Sequence, residues 1–176
     1  MRNTHITNGM YRVLDVLGPT VEFLTSPEES GAIYCVMIGT IPPGVSVPLH
    51  SHADVESFYV LSGAVQALSH HGDVFEWLDV KPGEFVQVPG NAKHAFRNTS
   101  GEPVVQLITT TPKIGRFFQE IGRPVTPGAP LLVPTGEELE RFARVAADYG
   151  YWLGSPSENA IIGISLFATA AVRSGG

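Results

Sequence analysis

The chain has 176 residues, 43% hydrophobic and 16% charged, with 17 acidic against 11 basic side chains and a formal net charge of −6. This length and balance suit one folded domain with a core of ordinary size and exclude a disordered chain. The acidic balance, with no cluster of Lys or Arg, also argues against a nucleic-acid-binding surface. Residues 1–8 are polar and lack a hydrophobic signal core, so the expected location is cytoplasmic. Residues 11–17 and 20–24 read as short strands separated by Gly18-Pro19, followed by a turn-rich loop over 25–31. Residues 32–41 read as a long strand buried on both faces, stopped by Pro42-Pro43-Gly44 because proline cannot donate to a ladder. Cys35 lies in this run and is the only cysteine, which rules out an intrachain disulfide and reads as a buried, inert thiol. Residues 57–61 and 64–68 flank a hairpin-like turn at Ser62-Gly63. Residues 69–73 read as a turn whose His70 and His71 sit at a solvated tip. Residues 74–80 and 85–88 are joined by Lys81-Pro82-Gly83, and 95–98 and 104–109 form the next pair. Many short strands punctuated by Gly and Pro predict an antiparallel sandwich or barrel.

After residue 111 the pattern changes. Ile114, Phe117, Phe118 and Ile121 recur at helical spacing, predicting a short amphipathic helix over 113–121. Residues 123–134 hold four prolines and no periodicity and read as an irregular connection. Thr135 and Glu138 match a capping box, and Leu139, Phe142, Val145, Ala146 and Tyr149 continue a helical stripe ended by Gly150. The spacing predicts a helix over 136–149. Residues 160–172 are apolar but too short to span a bilayer, and read as a strand or tail packed on the barrel or on a partner subunit. No membrane association is expected. The whole chain reads as one domain, a barrel over about 10–111 and a helical extension and tail over 112–176. Its apolar N-terminal strands and C-terminal tail suggest a two-fold homodimer.

The chemistry lies between Gly44 and Asn98. On a strand, side chains alternate with period two, so His50 and His52 point the same way, and Glu56 shares their face if the strand continues. On a later apolar run His94, Phe96 and Asn98 share one face. Three imidazoles and one carboxylate converging in a small sheet would make a first-row metal site of mixed nitrogen and oxygen character.

At these residues the chain resembles the cupin superfamily. The family's first motif, G-x5-H-x-H-x3-4-E-x6-G, is matched by Gly44, His50, His52, Glu56 and Gly63. Its second, G-x5-P-x-G-x2-H-x3-N, is matched by Gly83, Pro89, His94 and Asn98, with Asn91 where the family has glycine. Asn tolerates positive φ, so the turn at Pro89-Gly90-Asn91 is expected to survive. The resemblance implies a small antiparallel jelly-roll barrel followed here by helices. It implies His50, His52, Glu56 and His94 as ligands to one divalent metal, among Fe, Mn, Ni, Cu and Zn. Phe58, Val60, Phe96 and Gln106 either line a pocket above the metal and touch a small-molecule substrate or are ordinary barrel packing. Which way Tyr59, Trp77 and Gln87 face depends on register.

The single barrel with helices after it looks similar to quercetinase-like cupins. That likeness implies an oxidoreductase, a dioxygenase, opening or oxidising a small chelating substrate with Glu56 as base as well as ligand. The alternative is a non-redox protein: an isomerase or cyclase, or a binding module without turnover.

Overall fold

A computed structural model describes residues 13–29, 31–71, 74–126 and 133–166. Ten strands come first: β1 (Val13–Asp15), β2 (Thr20–Phe23), β3 (Cys35–Ile41), β4 (Ser46–Ser51), β5 (Glu56–Ser62), β6 (Val65–His71), β7 (Val74–Val80), β8 (Phe85–Val88), β9 (His94–Arg97) and β10 (Val104–Thr110). Helix α1 (Pro112–Ile121), the short strand β11 (Arg123–Pro124), α2 (Gly136–Asp148), β12 (Trp152–Leu153) and α3 (Pro156–Ile161) follow. The strands form two antiparallel sheets, one in the order β11-β1-β2-β3-β10-β5-β8 and the other β12-β4-β9-β6-β7. This is the jelly-roll sandwich expected of the sequence, with helices added after it. Alternate residues of facing strands, among them Met37, Phe58, Val60, Phe96 and Val104, bury between the sheets as the main core.

Three expectations need correcting. The 32–41 run becomes a strand only at Cys35, and its burial alternates instead of covering both faces. Such alternation is what an antiparallel strand shows when one sheet face meets the core and the other faces outward. Cys35 itself is fully buried, and burial pushes its thiol pKa up, in keeping with an inert group. The expected turn at 69–73 is shorter, because β6 runs to His71 and His70 pairs with Phe75 of β7, their rings 4.7 Å apart. Residues 72–73 lie outside the described residues, as do 1–12 and the middle of the proline-rich connection, 127–132. Arg123 and Pro124 of that connection are not irregular, since they pair with Asp15 and Leu14 of β1.

Both predicted helices form. Helix α1 buries Ile114, Phe117 and Ile121. Helix α2 opens with the full capping box, Glu138 N–H to Thr135 and Thr135 N–H to Glu138, and Gly150 after it has φ +74°. Its Val145 and Ala146 pack on α1, whereas Leu139 is exposed. The 160–172 stretch finishes α3 and then buries Ile162 and Ile164 against Leu49, Leu68 and Ala95, as a packed tail and not a strand. Its residues from 167 onward lie outside the described residues. No helix among the described residues is long and apolar enough to cross a membrane.

Candidate metal centre

Strands β4 and β9 run antiparallel with His50 directly opposite His94, after a break in register beyond Val47. Their ring centroids are 4.0 Å apart. His52 follows the end of β4, with its ring 5.6 Å from His50 and 5.0 Å from His94. The strand does not continue to Glu56, as the even spacing had suggested. Residues 52–55 bend across from the smaller sheet, and Glu56 opens β5 of the larger sheet, paired with Val88. Its carboxylate therefore enters the site from the facing sheet. Glu56 Oε2 lies 3.2 Å from His52 Nε2 and 3.3 Å from His94 Nε2. One ligand atom from each of the four residues falls within a 4.8 Å cluster. That spread is little wider than the roughly 4 Å between opposite donors around an ion with bonds of about 2 Å.

The loop carrying the second motif is fitted to the first. Gly90 packs so closely that a Cβ there would lie 2.3 Å from the Ala53 carbonyl oxygen. Asn91 adopts φ +66°, the left-handed conformation expected of it, and donates its N–H to the His52 carbonyl at 2.6 Å. Asn98 stays out of the site. Its Nδ2 donates to the carbonyls of Ile41 and Glu102 and ties the loop behind β9.

Proton placement decides what the cluster can bind. Nδ1 of His50, His52 and His94 lies 2.7, 2.9 and 2.9 Å from the carbonyls of Pro48, Asp54 and Ala92. A carbonyl only accepts, so each Nδ1 donates a proton there and Nε2 is the ring atom turned into the cluster. His94 Nε2 is buried without a hydrogen-bond partner. Such an atom is costly unless something ligates it, and these donors fit a divalent metal ion.

Electrostatics agree. Burial, and then neighbouring His94, lower the His50 pKa to about 3, so this ring is neutral. Burial alone would lower His52, but the Glu56 carboxylate outweighs it and raises the pKa. Burial pushes Glu56 up, and His52 and His94 more than reverse this, holding it at about 2. Of the four residues, only His50 is partly exposed, which leaves the centre open on that side.

A second layer went unread in the sequence. Asp54, whose carbonyl pins His52, has its carboxylate held by Thr111 Oγ1 at 2.6 Å and by Tyr151 Oη at 3.3 Å, with Lys113 Nζ 3.9 Å away. Burial and Asp54 push the Tyr151 hydroxyl above its usual range, so it stays a donor. The Tyr151 ring also packs on His52, centroids 5.1 Å apart. Asp54 was signalled by its place between two ligands. Tyr151, 97 residues further on, carried no local signal. Phe58, Val60, Phe96 and Gln106 are all buried inside the barrel, with Phe58 and Phe96 rings 4.7 Å apart and Gln106 Oε1 lacking a partner. Tyr59 and Gln87 face outward, and Trp77 donates Nε1–H to the Ile162 carbonyl under the tail.

A family profile described as the cupin domain matches residues 37–110, a span holding both motifs and all four candidate ligands. The chain carries a cupin domain. Among solved cupin-like structures, the polyketide cyclase RemF from Streptomyces resistomycificus has a TM-score of 0.54 at 18% identity, covering 74% of this chain and 89% of the cyclase. The cupin domain of an XRE family transcriptional regulator from Enterobacter cloacae has a TM-score of 0.44 at 25% identity, covering 53% of this chain and 96% of that domain. Oxalate decarboxylase from Bacillus subtilis has a TM-score of 0.49 at 22% identity, over 56% of this chain and 27% of the decarboxylase. Comparison with curated proteins finds no significant match. The extension after residue 110 lies beyond the cupin match, yet it supplies Thr111, Lys113 and Tyr151 to the ligand loop.

Proposed function

We propose that this cupin is a metal-dependent dioxygenase acting on a small organic substrate that chelates the ion, such as an enediol or an aromatic ortho-hydroxy ketone. The observation that carries the reading is the division of the ligands between sheets. Three imidazoles are fixed through Nδ1 on or beside β4 and β9, while Glu56 reaches them from β5. A divalent ion held by His50, His52, His94 and Glu56 would supply Lewis acidity and, where redox-active, activation of dioxygen. Glu56 is ionised at neutral pH, and because it reaches the cluster from β5 it can swing away while the carbonyls of Pro48, Asp54 and Ala92 still hold the three imidazoles. Leaving the two imidazoles also restores its basicity, so movement and uptake of a substrate hydroxyl proton on Oε2 go together. Substrate enters on the partly exposed His50 side. Phe58, Val60 and Phe96 supply an apolar wall, and the unpartnered Gln106 Oε1 accepts a hydrogen bond from a second hydroxyl. The same reading includes a two-fold homodimer, supported by Phe85, Tyr59 and Leu61, which are exposed beside β8 at the end of the larger sheet.

The deciding assay compares turnover of a flavonol or an enediol in air and under argon, with metal content measured on the same sample. Turnover that stops without dioxygen is expected. Turnover that continues unchanged overturns the oxygenase and leaves the isomerase or cyclase class.

A further inference from the structure

The segment after α2 lies along the end of the ligand strand β4, at Leu49, His50 and Ser51. Trp152 and Leu153 of β12 pair with Ser51 and His50 of β4, Gly154 N–H donates to the Leu49 carbonyl, and Leu49 N–H donates to Asn159 Oδ1. Tyr151 begins this strap, and it is 91% buried, exposing 9% of its surface. One side of its ring meets Phe117 and Tyr149, with centroids 4.9 and 5.7 Å away, and His52 lies 5.1 Å away. Its hydroxyl meets Asp54, the residue whose carbonyl fixes the proton on His52 Nδ1. The carbonyls that fix His50 and His94 belong to Pro48 and Ala92, within the barrel itself. His52 is thus the ligand whose pinning residue, Asp54, is itself held by side chains from outside the cupin match, Thr111 and Tyr151.

We infer that Tyr151 is a positioning residue for the metal centre, locking the His52 ring by packing against it and by anchoring Asp54. The inference rests on the metal-centre reading. It extends the site by a residue that the two motifs do not contain. Partners that orient a metal-bound imidazole typically carry tenfold to a hundredfold of the affinity. A residue that only fills the aromatic cluster would affect folding and leave the ion's surroundings unchanged.

The test titrates the full chain, stripped with EDTA, with Co2+, following heat and the visible bands that report ligand geometry. Tyr151→Leu is expected to bind Co2+ about tenfold more weakly or worse, with altered bands. Tyr151→Phe keeps the ring but loses the Asp54 hydrogen bond, so it is expected to weaken binding by less and still shift the bands; it decides the matter if Tyr151→Leu fails to fold. Phe142→Leu, whose ring meets Phe117 at 6.0 Å in the same cluster, is the control. It is expected to lower Tm while keeping wild-type affinity and bands. Tyr151 variants that bind and absorb as wild type overturn the inference, as does a Phe142→Leu loss of equal size. A wild-type chain that takes up no Co2+ overturns the metal reading and this inference together.

Discussion

His52 and Glu56 are neighbours in the cluster, but substituting them should have different consequences. His52→Ala removes a lone pair held in place by the Asp54 carbonyl, so elemental analysis of the purified variant should find little metal. Stoichiometric metal would count against the ligand set. Glu56→Gln keeps the size and a weak oxygen donor, so it should retain much of the metal yet lose most turnover, since an amide cannot take up the proton. Activity that falls only in step with metal content would make Glu56 a ligand without a role as base. Gln106→Leu separates packing from recognition. Removing a buried acceptor that has no partner should leave Tm unchanged or slightly raised, while the KM of a hydroxylated substrate rises several-fold. A drop in Tm with KM unchanged would show that Gln106 serves the core.

The same residues give EDTA-treated protein a definite pH dependence. His50 has an ordinary pKa of 6.5 and about 3 when folded, so the unfolded chain binds its proton first and stability is lost as pH falls from 6.5 towards 3. Glu56 falls from 4.5 to about 2, so its contribution is full above 4.5 and is lost as pH drops towards 2. His52 is raised, so its contribution is full below 6.5 and is lost as pH climbs through the raised value. Thermal melts should therefore show Tm falling from pH 6 to pH 3. A flat profile over that range would refute a neutral His50 and an ionised Glu56 in the folded chain.

At the scale of elements, what the sequence revealed follows the range of the forces involved. The spacing of His50, His52 and His94 was readable because strand periodicity and the Pro89-Gly90-Asn91 turn are local. Helix α2 was readable because Thr135 and Glu138 close a box within one turn. The crossing from β4 to β5 was not, since an even spacing fits both a continuing strand and a bend that returns the side chain to the same space. Strands β11 and β12 have two residues each and exist through pairing with β1 and β4, so no period could announce them. Helix α3 is too short for a stripe, although Ser155 and Glu158 spell a second capping box that was there to be found. The strap's hold on β4 converges on Asn159, which is fully buried and also donates Nδ2–H to Gly154 and Ser155 carbonyls. Asn159→Ala leaves the Leu49 N–H and the Gly154 carbonyl without their partner, while the Ser155 carbonyl keeps the backbone N–H of residue 159, at a cost of about 2–3 kcal/mol. Chemical denaturation should register that loss, and a change below about 0.5 kcal/mol would mean that the strap carries little load.

For the whole molecule, the homodimer is a matter of mass. Light scattering at micromolar concentration should give twice the chain's 18.9 kDa, and a monomer mass would remove it from the proposal. The layout of barrel and strap has a further consequence, one of order in time. Synthesis runs from the N-terminus, and Tyr151 follows His94 by 57 residues (151 − 94). At about 5–20 residues per second, the ribosome takes roughly 3–11 s to cover that distance. All four donors thus leave the ribosome seconds ahead of the strap that braces His52. An ion captured in that interval would meet His52 before Tyr151 anchors Asp54. Affinity would thus mature as synthesis proceeds, the barrel setting which atoms meet an ion and the strap setting how firmly His52 holds it.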